Sequence, residues 1–251
     1  MKENNKRIGV FDSGIGGLNV LNNLSMAFPN EDFLYLGDNL NVPYGVKSKD
    51  ELASIIKRIF KFFEEKDVKA IMIACNTASK ASEDLTSKVK VFRIIEPTSL
   101  NALKISKNIA VVATDFTIKS KAYDKYLGKN MIGVPASPLV MVVENHTKDT
   151  KEGKKIIEEV LSTYKNKCDT AILGCTHFPF LEEEIKNTLN VKNIVDSSKA
   201  FNDVLKDYLD KNNLNHDQNN NRTIEICFTK PQDIDLSIIK DKYIGINFIE
   251  L

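Results

Sequence analysis

The feature that most limits the fold of this chain is an internal repeat of about 100 residues. Val68–Ala78 aligns with Cys168–Phe178, and the alignment places Cys75 opposite Cys175. Two other strand-like segments match in the same order: Ile94–Glu96 with Ile194–Asp196, and Arg7–Val10 with Asn108–Val111. A repeat of about 20–50 residues would indicate a solenoid, whereas one of this length predicts two similar domains.

Short apolar runs alternate with stretches of helical length, of which Lys49–Glu65 has the clearest apolar face. The predicted strands are Ile8–Phe11, Phe33–Leu36, Ala70–Ala74, Val91–Ile95, Ile109–Val112, Thr170–Leu173, Asn193–Val195 and Thr223–Phe228. This alternation predicts an α/β fold with two similar doubly wound parallel sheets, related by pseudo-two-fold symmetry. We predict a first domain of residues 1–97 plus 208–251 and a second of residues 98–207. We expect the active site in the interdomain cleft, and a solvated loop over the Asn-rich stretch 211–222.

Charge and cysteine content narrow the class of protein. The 35 Lys and Arg residues nearly balance the 34 Asp and Glu residues, which argues against binding to nucleic acid or to a membrane surface. The four cysteines are too few and too dispersed for a disulfide framework. The chain has no apolar signal core and no run long enough to span a membrane, so we expect a cytoplasmic protein.

Cys75 and Cys175 are the strongest candidates for chemistry. Each follows a buried-looking strand and opens a helical pattern, where the helix N-terminus would lower the pKa of the thiol. Asn76 and Thr77 follow the first cysteine, and Thr176 and His177 follow the second, as donors that could cradle an anion. A single cysteine after a strand is more often a core residue, but the matched positions favour function.

Two thiols suit the movement of a proton between the faces of a carbon, because one can act as base and the other as acid. The spacing of Cys168 and Cys175 fits no zinc pattern, and Gly14–Gly17 lacks the third glycine of a dinucleotide loop, since Asn19 stands there. A redox disulfide would leave the neighbouring polar residues unexplained. We therefore predict catalysis with no cofactor and no metal.

Several motifs, in order, resemble those of the bacterial glutamate racemases along nearly the whole chain. They are Gly9–Gly17, Gly37–Gly45, Ala74–Ser79, Ile95–Pro97, Thr114–Tyr123 and Leu173–Pro179. The related aspartate racemases share the two-cysteine plan but differ at the Asp12-Ser13-Gly14 turn. Asn39 and Asn41 stand where threonine and arginine are common in the family.

The resemblance implies an isomerase that interconverts L- and D-glutamate for peptidoglycan synthesis, as a homodimer. Cys75 would act on D-glutamate with Asp12 beside it, and Cys175 on L-glutamate with His177 beside it. The implied substrate-binding residues are Asp12, Ser13, Tyr44, Gly45, Asn76, Thr77, Thr114, Thr176 and His177. Asp12 and Ser13 could instead form only a turn and a helix cap, and Glu144 fits either a family acid or a surface residue.

Three alternatives remain open at the level of sequence. One is a racemase of another acidic amino acid, such as aspartate. A second is a hydrolase or transferase that uses Cys175 as nucleophile and His177 as base, in which Cys75 would be dispensable. The third is a non-catalytic protein that binds an amino acid without exchanging its α-hydrogen.

Overall fold

The computed structural model describes residues 2–129, 131–217, 222–231, 239–240 and 245–251. The strands in these ranges are β1 Ile8–Asp12, β2 Phe33–Gly37, β3 Ala70–Ile73, β4 Val91–Arg93, β5 Ile109–Ala113, β6 Ile132–Pro135, β7 Thr170–Gly174, β8 Asn193–Asp196, β9 Ile224–Phe228 and β10 Gly245–Phe248. The α-helices are α1 Leu18–Ala27, α2 Lys49–Glu65, α3 Asn76–Ala81, α4 Ile95–Leu103, α5 Asp115–Lys119, α6 Asp124–Leu127, α7 Ser137–Glu144, α8 Lys151–Leu161, α9 Glu182–Leu189 and α10 Phe201–Asn212. Short 3-10 helices are formed by Glu3–Asn5, Tyr44–Val46, Ser162–Tyr164, Phe178–Leu181 and Ser197–Lys199.

The chain divides into two compact units. The first contains Met1–Ile94 and Ser198–Leu251, and the second contains Ile95–Ser197. The predicted boundary between residues 207 and 208 falls inside α10, whereas the whole helix lies in the first unit. The reason is local packing: α10 contacts α1, and the ring of Tyr208 meets that of Phe92 at a centroid distance of 5.1 Å.

Each unit is built on a parallel sheet. The first sheet has the order β10-β9-β2-β1-β3-β4 and the second has the order β6-β5-β7-β8. All strand pairs in the described residues are parallel. The order β2-β1-β3-β4 in one sheet corresponds to β6-β5-β7-β8 in the other, and two of the matched pairs of segments occupy the equivalent strands β1 and β5, and β3 and β7. In the third pair, Ile194–Asp196 lies within β8, whereas Ile94–Glu96 follows the end of β4. The predicted α/β fold with two similar parallel sheets is confirmed.

The central strands are buried along their whole length. Every residue of β1, β2, β3, β5 and β7 is buried, which requires cover on both faces of each sheet. Helix α2 spans the predicted residues, begins with a capping box of Ser48 and Glu51, and buries its apolar face. Its Phe63 lies so close to Gly9 that a Cβ there would be 2.7 Å from the ring. A larger residue at position 9 would therefore force the Phe63 ring to move.

Two strands were not predicted, and both lack a clear apolar run. Strand β6 contains Gly133 and Pro135 and is mostly half-buried, and β10 lies at a sheet edge and is half exposed. Strand β4 ends at Arg93 rather than at the predicted Ile95, because α4 begins there with Pro97 in its first turn. The predicted loop 211–222 begins later than expected, since α10 continues to Asn212, and residues 218–221 of it lie outside the described ranges. No helix among the described residues combines the length and apolar character needed to cross a membrane.

Candidate active site

In both units, the polar residues singled out from the sequence follow the carboxyl ends of central strands. Strand β1 ends at Asp12. The Ala74 N–H, directly after β3, donates a hydrogen bond to the Phe11 carbonyl of β1. In the second unit, Ala113 of β5 pairs with Gly174 of β7, so Thr114 and Cys175 leave neighbouring strands at the same level. This end of a parallel sheet is where α/β proteins bind their ligands.

Cys75 stands at the N-terminus of a helix, as predicted. It is the N-cap of α3, and its Sγ accepts a hydrogen bond from the Ala78 N–H at 3.4 Å. Only 6% of the residue is exposed. The first two residues of α3, Asn76 and Thr77, are also buried. The partial positive charge of the helix start and the N–H donor both favour a thiolate at this position.

Asp12 is fully buried in a tight turn. Its Oδ1 accepts from the Gly14 N–H at 3.0 Å, and the Tyr35 hydroxyl donates to the Gly14 carbonyl at 2.5 Å. A Cβ on Gly17 would stand 2.3 Å from the Asp12 Cβ, so only glycine fits there. Asp12 therefore takes part in a turn, but the helix-cap interpretation is wrong, because α1 begins at Leu18 and its N-cap is Gly17.

Tyr44 and Gly45 lie in a 3-10 turn that packs against α3, and Ser13 is buried beside Asp12 in the chain. The Tyr44 hydroxyl donates to Asp38 Oδ2 at 2.6 Å. Burial raises the pKa of Tyr44 well above its ordinary value, and the charges of Asp38, Cys75 and Asp12 raise it further. Tyr44 is therefore a protonated phenol at neutral pH.

Cys175 is supported by a different arrangement. Its Sγ lies 3.6 Å from His177 Nδ1, and His177 Nε2 lies 2.5 Å from Glu144 Oε1 at the end of α7. The expected helix start at Cys175 is wrong. The chain first forms the 3-10 helix Phe178–Leu181, which buries both of its terminal side chains, and α9 begins only at Glu182.

The charge on His177 follows from these contacts. Burial lowers the pKa of His177, but the hydrogen bonds to Cys175 and Glu144 outweigh it and raise the pKa to about 10. The bond to His177 in turn lowers the pKa of Glu144, against the opposing effect of burial. At neutral pH the pair is an imidazolium held by a carboxylate, and the imidazolium can stabilise a thiolate on Cys175.

Thr114 and Thr176 complete the predicted residues of the second unit, and both are buried. Thr114 is the N-cap of α5, where its Oγ1 accepts from the Thr117 N–H at 3.4 Å and lies 3.0 Å from Thr117 Oγ1. Tyr123 is fully buried, and both burial and the nearby charge of Cys175 raise its pKa.

The other two cysteines differ in position and in environment. Cys168 precedes β7, at the end of the strand opposite Cys175, and Cys227 lies within β9. Burial raises the pKa of both thiols, that of Cys227 to about 11, with the charge of Glu225 contributing there. All four cysteines are free, and no cluster of His, Cys, Asp and Glu in the described ranges could hold a metal ion.

Sequence reasoning did not assign Asp38, Thr117 or Tyr123 to the site and left Glu144 undecided. A signal existed for Asp38, because it directly follows a buried strand within the Gly37–Gly45 motif. Glu144 lies 33 residues from His177, and no spacing pattern joins them.

Comparison with known proteins agrees with this architecture. The family model described as Asp/Glu/Hydantoin racemase matches residues 9–202. The chain belongs to this racemase family. Among its relatives, the glutamate racemase of Aquifex aeolicus is 43% identical over 211 residues, which cover 81% of this chain and 83% of that protein. The glutamate racemase of Clostridium novyi is 36% identical and covers 95% and 97% of the two chains.

Solved racemase structures match the fold over nearly the whole length. The structure of glutamate racemase from Francisella tularensis in complex with D-glutamate superposes with a TM-score of 0.88 at 30% identity and covers 98% of each chain. The resemblance inferred from the motifs is confirmed, as is the isomerase class, an amino-acid racemase.

Proposed function

We propose that this racemase interconverts L- and D-glutamate with two thiols, Cys75 and Cys175, and no cofactor. One observation carries the proposal: the two cysteines follow equivalent strands, β3 and β7, of two sheets that share one strand order. Each thiol has its own support for the ionised form, as required of a group that alternates between base and acid.

The proposed reaction balances with these two groups. Starting from L-glutamate, the thiolate of Cys175 removes the α-proton and becomes a thiol, and the electron pair remains on the α-carbon. The thiol of Cys75 then delivers its proton to the opposite face of that carbon and becomes a thiolate. The product is D-glutamate, and the reverse reaction begins with the thiolate of Cys75.

Asp12 and His177 assist proton transfer at Cys75 and Cys175. The imidazolium of His177 supports the thiolate that begins the reaction from L-glutamate. We propose that the substrate is held by Asp12, Ser13, Tyr44, Gly45, Asn76, Thr77, Thr114, Thr176 and His177. The glutamate named for the relatives fits these hydroxyl and amide groups, which can bind carboxylates without arginine.

We further propose that the D-glutamate serves peptidoglycan synthesis in the cytoplasm and that the protein is a homodimer. The apolar side chains of Leu100 and Leu103, one turn apart on α4, and of Ile105 are 49%, 37% and 52% exposed, and a second copy would cover them. Light scattering should give twice the chain mass, and a monomer at micromolar concentration would contradict the dimer.

Optical rotation tests the reaction directly. The protein, stripped of metal with a chelator and dialysed without pyridoxal phosphate, should bring the rotation of L-glutamate to zero. L-Aspartate in a parallel sample should react far more slowly. Activity that returns only with metal or pyridoxal phosphate would contradict the cofactor-free proposal, and faster reaction of aspartate would contradict the substrate.

A further inference from the structure

Tyr35 is a fully buried tyrosine of β2 that the proposed reaction does not use. Its ring packs edge-on against Phe228 at a centroid distance of 5.9 Å. Its hydroxyl donates to the Gly14 carbonyl at 2.5 Å, in the turn that follows Asp12. A buried tyrosine hydroxyl needs a hydrogen-bond partner, and here the partner belongs to the segment that carries Asp12.

Two glycines leave room for this contact. A Cβ on Gly17 would stand 2.9 Å from the Tyr35 hydroxyl oxygen, and a Cβ on Gly37 would stand 2.8 Å from the Gly14 carbonyl oxygen. Both distances are shorter than a Cβ tolerates, so the hydroxyl and the carbonyl can meet because glycine stands at both positions. The turn and the end of β2 are therefore built together around the hydroxyl of Tyr35.

Gly14 also holds the Asp12 carboxylate. The Gly14 N–H donates to Asp12 Oδ1 at 3.0 Å, so a single residue joins the tyrosine hydroxyl to the carboxylate. Asp12 ends β1, and Cys75 follows β3, the strand that pairs with β1. A group that assists proton transfer must be placed accurately, because a small displacement lowers the rate.

We infer that Tyr35 is a positioning residue that holds the turn 12–17 through Gly14 and so fixes the direction of the Asp12 carboxylate. This inference rests on the proposed function for the role of Asp12 at Cys75. Tyr35 acts through Gly14 and takes no part in the proton transfer itself.

Tyr35→Phe tests the inference, because it removes the hydroxyl and keeps the ring that packs on Phe228. Each direction of the reaction includes a proton transfer at Cys75, so kcat should fall about tenfold for both enantiomers, the effect of losing one buried hydrogen bond. KM should stay within about twofold of wild type. Tyr208→Phe is the matched control, because its hydroxyl donates to the Lys69 carbonyl, which precedes β3, at 3.3 Å. Its kcat should stay near wild type.

Substrates deuterated at the α-carbon separate the positioning of Asp12 from a general loss of structure. An isotope effect is expressed to the extent that the labelled transfer limits the rate. In the proposed mechanism, Cys75 removes the label from D-glutamate and Cys175 removes it from L-glutamate. In Tyr35→Phe, the isotope effect on kcat/KM should therefore rise with D-glutamate and fall with L-glutamate, as in Asp12→Asn. The double variant should lose no more activity than Asp12→Asn alone.

A lower kcat with unchanged isotope effects would overturn the inference, because a smaller folded fraction lowers kcat without changing the step that limits the rate. Additive losses in the double variant would also overturn it. Failure of Tyr35→Phe to fold by circular dichroism would do the same, because the hydroxyl would then support the whole unit rather than Asp12.

A second measurement does not depend on racemisation. If the wild type does not racemise glutamate, the proposed function fails, and alkylation of Cys75 by iodoacetamide, followed by mass spectrometry across pH, still tests Tyr35. The charge of a carboxylate acts on a nearby thiol, so the pH profile at Cys75 should move in Tyr35→Phe in the same direction as in Asp12→Asn. An unchanged profile at Cys75 in Tyr35→Phe would overturn the inference.

Discussion

The two thiol sites stand on equivalent strands but differ in what favours their ionisation. Cys75 caps α3 and accepts a backbone N–H, whereas Cys175 precedes a 3-10 turn and lies beside the imidazolium of His177, which Glu144 holds. The repeat thus preserves the scaffold that places each sulfur after a central strand, while the supporting chemistry differs between the units.

The difference has a consequence for pH dependence. The partial charge of a helix terminus does not titrate, so the support of Cys75 is constant across the working range. The imidazolium of His177 persists below its pKa of about 10 and is lost as the pH rises through that value. Alkaline pH can therefore remove the positive charge beside Cys175, but it cannot remove the partial charge of the helix beside Cys75.

The largest expected effect is the loss of either thiol. Cys75→Ala and Cys175→Ala should each lower kcat by about 10²–10⁴-fold, the usual contribution of a general acid or base. Cys168→Ala and Cys227→Ala are the matched controls, because both thiols are buried and lie away from the paired strand ends. Chiral chromatography of the product measures all four.

Comparable losses at all four cysteines would mean that burial, rather than chemistry, explains the effect. Full turnover of Cys75→Ala on another substrate, with a thioester on Cys175, would instead favour a hydrolase or transferase.

The next largest effect is expected for the two residues proposed to assist the thiols, Asp12 at Cys75 and His177 at Cys175. Asp12→Asn and His177→Asn should each lower kcat about 10- to 100-fold, since a hydrogen bond to a charged group contributes about 1.5–3 kcal/mol. KM should change less, because both residues are assigned to proton transfer. Steady-state kinetics with both enantiomers measure the two constants, and an effect confined to KM would reassign the residues to substrate positioning.

The smallest effect concerns the carboxylate behind His177. Glu144→Gln removes the charge that helps to raise the pKa of His177, so the imidazolium should be lost at lower pH. The alkaline limb of the kcat profile should therefore move down by about one pH unit. Glu184→Gln is the control, because Glu184 pairs with Lys148 at 3.5 Å and its side chain is 26% exposed, close to the 23% of Glu144. Equal shifts in both variants would remove the special role of Glu144.

The sequence predicted the scaffold better than the contacts of the site. Buried strands leave apolar runs, and α2 leaves a clear helical period, so both could be found from local patterns. Glu144 and His177 are 33 positions apart in the sequence, and Asp38 and Thr229 are 191 positions apart. Contacts between residues so far apart in the sequence become visible only in the folded chain. The prediction that a helix begins at Cys175 was wrong, because apolar residues after a strand do not distinguish a 3-10 helix from an α-helix.

Transfer of deuterium tests the two-thiol account most directly. The protein is incubated with unlabelled L-glutamate in deuterated water, and samples are taken early in the reaction. The two enantiomers are then separated, and mass spectrometry measures the deuterium content of each. In the proposed mechanism, Cys175 removes the α-hydrogen, and Cys75, already exchanged with solvent, delivers deuterium to the other face. The early D-glutamate should carry deuterium almost completely while the remaining L-glutamate keeps its hydrogen, and the pattern should reverse from D-glutamate. Substantial retention of hydrogen in the early product from either direction would contradict the two-thiol mechanism, even in an active racemase.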